Sequence, residues 1–284
     1  MGHLAAPRIG WENEHLATFL LSRISFVANP ITIADDIGSD FFCTIFESRT
    51  ENTAEQLFPR NSFAIQIKSK EEIIPATNKI EYLSKLELPF FVGIVDRHHL
   101  LLRIFSGEYL PILFTKHGVP KEELRLSPVL STDLESYCEV TKGQKLEPLR
   151  ALLRLPFVME IGAQESRNDV LVKARQLSEL CSRMHGNISA RASHEYIFRL
   201  DQQGTATIMA GSGSATTFRR NFYARLAEAL YNLEWIYKND RSNFNIQEFK
   251  IYEKCYLDLA NQNDTGSPSG LHDIYSKLKQ LLGD

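Results

Sequence analysis

The sequence predicts an α/β N-terminal domain joined to a C-terminal domain that is α+β or mostly helical. Three observations carry this. A helical stripe near the start is followed by two strand patterns, a continuous apolar run comes next, and beyond about residue 150 the periodicity is largely that of helices. At 284 residues, with 43% hydrophobic and 24% charged, the chain can bury a real core and exceeds the usual size of one domain.

Taken in order, Leu16, Ala17, Phe19, Leu20, Leu21 and Ile24 recur at helical spacing between Trp11 and Ile24, with Glu12 and Glu14 in the first turn, where the helix dipole favours them. Asn29-Pro30 breaks this helix off from Phe41–Glu47, whose aromatic and branched residues read as a strand. From Phe63 to Ser69 the apolar residues Phe63, Ile65 and Ile67 alternate with small or polar ones, a second strand. Ile80–Leu86 reads as a helix. Phe90–Asp96, apolar almost throughout, reads as a buried central strand. Leu100–Phe105 and Tyr109–Phe114 are expected as two further strands. Pro120, Pro128, Lys142-Gly143 and Pro148 then punctuate a polar stretch expected to connect two domains. Beyond it, strands are expected at Phe157–Ile161, Tyr196–Leu200 and Thr205–Ala210. Helices are expected at Val170–Met184, Phe218–Tyr237 and Phe244–Ala260, and a disordered-type loop at Asn261–Gly270. The expected division is therefore a domain over 1–118, a connection over 119–148 and a second domain over 149–284.

The formal charge of −3 gives no overall basic field, so nucleic-acid binding would have to rest on a local patch. Cys43, Cys138, Cys181 and Cys255 lie far apart and form no Cys-x-x-Cys pair, which argues against structural zinc and a disulfide framework and fits a reducing, cytoplasmic setting. No apolar run approaches the roughly 20 residues needed to span a bilayer, and Met1 to Arg8 lacks the layout of a signal peptide. A soluble protein with no membrane partner is expected.

The chemistry-bearing residues sit at the two N-terminal strands. Residues two apart on a strand share a face, so Gln66 and Lys68 project together while Ile65 and Ile67 pack behind them. Upstream, in Asp36-Ile37-Gly38-Ser39-Asp40, the glycine allows a tight turn and Asp40 opens the Phe41–Glu47 strand. If the two strands pair, a carboxylate, an amide oxygen and an ammonium group converge. Mg²⁺ prefers such hard oxygen ligands and keeps several waters. Asp40 and Gln66 would bind the ion. Lys68 would orient or deprotonate the attacking water and neutralise charge on a phosphate, which makes the reaction class phosphodiester hydrolysis.

These motifs together, Asp-x-Gly-x-Asp before a strand, Ile-Gln-Ile-Lys-Ser on the next, then Pro-Phe-Phe-Val-Gly-Ile-Val-Asp, resemble the Mrr-like branch of the PD-(D/E)xK nucleases, in which Gln stands where Glu is commoner. The first helix also resembles that family's Glu-x-x-(apolar)-x-x-Leu-Leu pattern through Glu14, Ala17, Leu20 and Leu21, with Glu12 a weaker match. The resemblance covers roughly Gly10 to Phe114 and lacks the proline that often precedes the acidic residue. It implies a restriction-endonuclease-like core and Asp40, Gln66 and Lys68 at the motif positions. It further implies Glu14 helping to hold the metal or its water shell, and Mg²⁺, or Mn²⁺ as a substitute, as cofactor. In related restriction and anti-phage defence proteins the added C-terminal region handles a target, a partner protein or self-assembly.

Other readings stand beside this one. Alone, Ile-Gln-Ile-Lys is an ordinary amphipathic strand. Asp36 could be a second ligand or the side-chain cap of a turn, and Glu14 a plain N-terminal helix carboxylate. His98-His99, in an expected hairpin turn, point to opposite faces, which disfavours a metal site there. The loop Ala210 to Thr217 lacks the Gly-Lys-Ser/Thr ending of a P-loop, and Arg219, Arg220 and Arg225 could touch phosphates or face solvent from a core helix. A DNA-cleaving enzyme is the leading expectation. The alternatives are an inactive nuclease-fold scaffold that binds nucleic acid or a partner protein, and a nucleotide sensor built on Gly211–Thr217.

Overall fold

The computed structural model describes residues 5–29, 38–51, 54–130, 137–143, 147–193, 195–200, 206–211, 215–260 and 269–283. The chain runs α1 (Ala5–Leu21), β1 (Phe26–Ala28), β2 (Phe41–Glu51), β3 (Ala54–Lys68), β4 (Ile74–Pro75), α2 (Ile80–Lys85), β5 (Phe90–Asp96), β6 (Leu101–Ser106), α3 (Leu110–Lys116), β7 (Glu123–Val129), β8 (Cys138–Lys142), β9 (Pro148–Gly162), α4 (Arg167–Ala192), β10 (Tyr196–Leu200), β11 (Ala206–Gly211), α5 (Ala215–Asn239), α6 (Ile246–Ala260) and α7 (Ser269–Leu282).

It divides into two compact units: residues 1–192 with 196–211, and residues 193–195 with 212–284. The first is α/β. Among the described residues its main sheet has nine strands in the order β1-β2-β3-β5-β6-β9-β7-β4, with β8 also on β9. The alternation read at Phe63–Ser69 sets the faces. Phe63, Ile65 and Ile67 join Phe41, Cys43, Ile45, Phe91 and Val95 in one core under Ala17, Leu20 and Leu21 of α1 and Leu177, Leu180 and Cys181 of α4. On the opposite face Ala64, Val92 and Ile94 pack with Ile80 and Leu83 of α2 and Leu110, Leu113 and Phe114 of α3. A strand covered on both faces must be apolar almost throughout, which is why Phe90–Asp96 reads as a continuous run. β2 and β3 are antiparallel, and β3 and β5 parallel with Gln66 level with Val92.

Two expectations are corrected. Tyr109–Phe114 is not a strand, since Leu110–Lys116 is a helix with Pro111 in its first turn, where the missing N–H costs nothing. Residues 110–114 are all buried, so no polar face is left for periodicity to reveal. Residues 119–148 are not a linker, because β7 and β8 both pair with the first half of β9 while its second half pairs β6. Proline marks the edges here: Pro148 opens β9 and Pro128 sits one residue from the end of β7. The 118/149 division therefore gives way to one that falls beyond β11.

In the second unit, helical in its described residues, Tyr223, Leu226, Leu230 and Leu233 of α5 pack with Phe249 of α6 and Leu271, Ile274 and Leu278 of α7. Of the loop expected at Asn261–Gly270, Ser269 and Gly270 already belong to α7, and 261–268 lie outside the described residues. No helix among the described residues is long and apolar enough to cross a membrane.

Cys43 and Cys181 are fully buried in the first core, where burial pushes both thiols up to about 12. A group whose folded pKa is raised contributes stability that is complete below its unfolded value and is lost as pH rises through the interval to the folded value. Here that interval runs from the ordinary thiol value near 9 to about 12. Each of the two cysteines is expected to cost about 1.4 kcal/mol per pH unit across it. Urea denaturation at pH 8 and pH 10 of the wild type and of the double variant Cys43→Ala/Cys181→Ala checks this, since the variant is expected to show the shallower pH dependence.

Candidate active site

The turn before β2 is built by a glycine. Gly38 has φ +115, a conformation side chains rarely adopt, and a Cβ there would stand 2.4 Å from Cδ1 of Tyr82. Tyr82, on α2, also shares a 2.8 Å hydrogen bond between its hydroxyl and Ser39 Oγ, and burial raises its pKa. The aromatic ring and the hydroxyl pair hold Gly38 and Ser39 in place, and through them the start of β2. Gly38→Val is expected to destabilise the fold by about 3 kcal/mol or more, combining forbidden backbone with a clash. A thermal melt checks this, and an unchanged Tm would contradict it.

Asp40 is held at both ends of the residue. Its N–H donates to Ile65 O at 2.9 Å, and its Oδ2 accepts the Ile67 N–H at 2.5 Å. The side chain thus takes the ladder position that a backbone carbonyl would fill if β2 ran further back. This fixes a carboxylate beside β3 at the residue lying between Gln66 and Lys68.

Gln66 and Lys68 share the strand face opposite Ile65 and Ile67. Gln66 is 2% exposed, yet its Oε1 has no hydrogen-bond partner. A buried, unpartnered amide oxygen costs about 1–3 kcal/mol, so its retention calls for a reason such as a ligand to hold. Lys68, half-buried, closes β3.

The parallel strands β3 and β5 end side by side, and their C-terminal ends open onto a cavity of about 520 Å³ lined by Asn13, Ser69, Lys70, Asp96, Arg97 and Arg103 among others. Crevices at the carboxyl ends of parallel strands are where α/β sheets commonly take ligands. Arg103 pairs with Glu71 at 2.6 Å, which raises its pKa, and Arg97 pairs with Glu12 at 2.6 Å. Asp96 accepts from the His98 and His99 amides and meets His99 Nδ1 at 2.8 Å, and the His99 contacts hold its carboxyl below the usual range.

On α1, Glu14 is exposed and Glu12 is engaged with Arg97. The polar residue buried against the sheet is their neighbour Asn13, 5% exposed, whose Oδ1 has no partner. Its signal was present in the sequence: position 13 begins the stripe continued by Leu16, Ala17, Leu20, Leu21 and Ile24.

Among the described residues no three His, Cys, Asp or Glu side chains cluster to hold a metal. A cation beside Asp40 would need amide oxygens, water or substrate to complete its shell. Asp36, and Ser212–Ser214 of the glycine loop, lie outside the described residues. Of the three arginines that follow, Arg220 is exposed and Arg225 pairs with Glu195 at 2.5 Å. No family model, no curated protein and no solved structure matches the chain.

Proposed function

We propose that this chain is a Mg²⁺-dependent endonuclease with a PD-(D/E)xK core of the Mrr-like kind, hydrolysing phosphodiester bonds of DNA in restriction or anti-phage defence. The observations that support it most are the carboxylate of Asp40 hydrogen-bonded to the amide between Gln66 and Lys68, and a buried Gln66 oxygen with no partner on the same strand.

The residues fit the ion. Asp40 supplies one anionic oxygen and Gln66 a neutral one, hard donors of the kind Mg²⁺ takes when it keeps several waters. When bound, the cation polarises the phosphoryl oxygen and lowers the pKa of water. Asp40, anchored by the Ile67 N–H, holds its ligand position without reorganising. Lys68, on the same strand face as Gln66, neutralises charge growing on the phosphate and orients the attacking water. The cavity beyond Ser69 would take the substrate next to the scissile bond.

The test is supercoiled plasmid incubated with the protein in Mg²⁺ or Mn²⁺, with and without EDTA. Nicking that EDTA abolishes is the expected result. DNA retarded in a gel but never cut would instead assign the scaffold role.

A further inference from the structure

We propose that α2 is a latched cover over the cation site, so that breaking the Tyr82–Ser39 hydrogen bond tightens ion binding; this rests on the reading above and concerns how the same site is regulated. Gln66 stands on the sheet face that carries Ala64, Val92 and Ile94, and Ile80 and Leu83 of α2 pack on that face. Its Oε1 is without a partner and is also buried from solvent. Mg²⁺ arrives with waters that it gives up reluctantly, and an ion so hydrated cannot reach an oxygen that water itself does not touch. For Gln66 to serve as a ligand, its cover must first move. α2 is the covering element fastened beside Asp40. Tyr82 shares its 2.8 Å hydrogen bond with Ser39, one residue before Asp40, and its ring lies against Gly38. Asp40 in turn meets β3 at Ile65 and Ile67, on either side of Gln66.

The helix is lightly held. It has six residues, too few to keep a helix in water by themselves, and no side-chain hydrogen bond caps its N-terminus. Its Glu81–Lys85 pair is exposed at both ends and contributes little. Tertiary contacts therefore decide whether it stays down: Ile80 and Leu83 against the sheet, the Tyr82–Ser39 bond toward Asp40, and the Arg191 guanidinium of α4, which donates to Ser84 O at 2.7 Å. Of these ties, the Tyr82–Ser39 bond is the one that joins α2 to the strand carrying the anionic ligand. A hydrogen bond made only in the covered form favours that form by about three- to tenfold. An ion that binds only the uncovered form has its apparent affinity reduced by the fraction uncovered, so loss of the bond returns that factor to binding.

The test uses the full chain, with Tyr82→Phe, which keeps the ring on Gly38, and Ser39→Ala. In EDTA, hydrogen exchange of the α2 amides is expected to quicken about three- to tenfold in either variant, and Mn²⁺ affinity read by electron paramagnetic resonance is expected to tighten by the same factor. The double variant is expected to go no further than either single one, because the two groups make one bond. In the wild type, saturating Mn²⁺ is expected to speed exchange in α2, since the ion draws the population toward the uncovered form. A residue that merely supported the fold or positioned Asp40 would weaken Mn²⁺ binding when altered. Mn²⁺ bound equally or more weakly by Tyr82→Phe, or α2 amides protected by Mn²⁺, would overturn the latch and leave the cation site standing. No Mn²⁺ bound by the wild type or by either variant would overturn both.

Discussion

Lys68→Ala and Asp40→Ala are each expected to reduce Mg²⁺-dependent plasmid nicking by about a hundredfold or more, the scale on which single preorganised groups act on charge developing in a transition state. The two losses have different origins. On the proposed mechanism, Lys68→Ala removes the cation that would meet the phosphate while the anionic ligand stays, so weak metal binding is expected to survive and the chemical step to suffer. Asp40→Ala removes the anionic ligand and also leaves the Ile67 N–H without the acceptor it has at 2.5 Å. It is therefore expected to cost about 1–3 kcal/mol of stability as well. Nicking rates and thermal melts on both variants separate these effects. Full activity in either variant would remove that residue from the mechanism.

Gln66→Leu is expected to move stability and activity in opposite directions. The side chains are of similar size, Gln66 is 2% exposed, and its Oε1 is unpartnered, so the apolar replacement relieves a buried polar group and raises ligand-free stability by about 1–3 kcal/mol. The same change deletes the proposed neutral oxygen ligand. Millimolar Mn²⁺ is expected to raise the Tm of the wild type and not of Gln66→Leu, and nicking is expected to fall with it. A destabilised Gln66→Leu that still gains stability from Mn²⁺ would show Gln66 to be a structural residue with a hidden partner.

Much of this arrangement was legible in the sequence because strands covered on two faces leave strong patterns. Phe63, Ile65 and Ile67 alternate with Ala64 and Gln66, and the core divides between the two sheet faces on the same alternation. Gly38 announced a turn, and it has the positive φ that only glycine holds comfortably. The misses are equally physical. Proline was read as punctuation between domains, whereas Pro128 and Pro148 stand at or next to strand ends. The first five residues of α3 are all buried, so they offered no amphipathic period to separate helix from strand. At α1 the resemblance drew attention to Glu14, while the helical stripe that buries Ala17, Leu20 and Leu21 also buries Asn13.

The proposal depends on Asp40 and Gln66 serving one cation, and Mn²⁺ titration followed by electron paramagnetic resonance tests that directly. One bound ion per chain in the wild type, lost in Asp40→Ala and weakened in Gln66→Leu, is the result expected. Equal Mn²⁺ binding in all three proteins would place the ion elsewhere and contradict the site described at the end of β3.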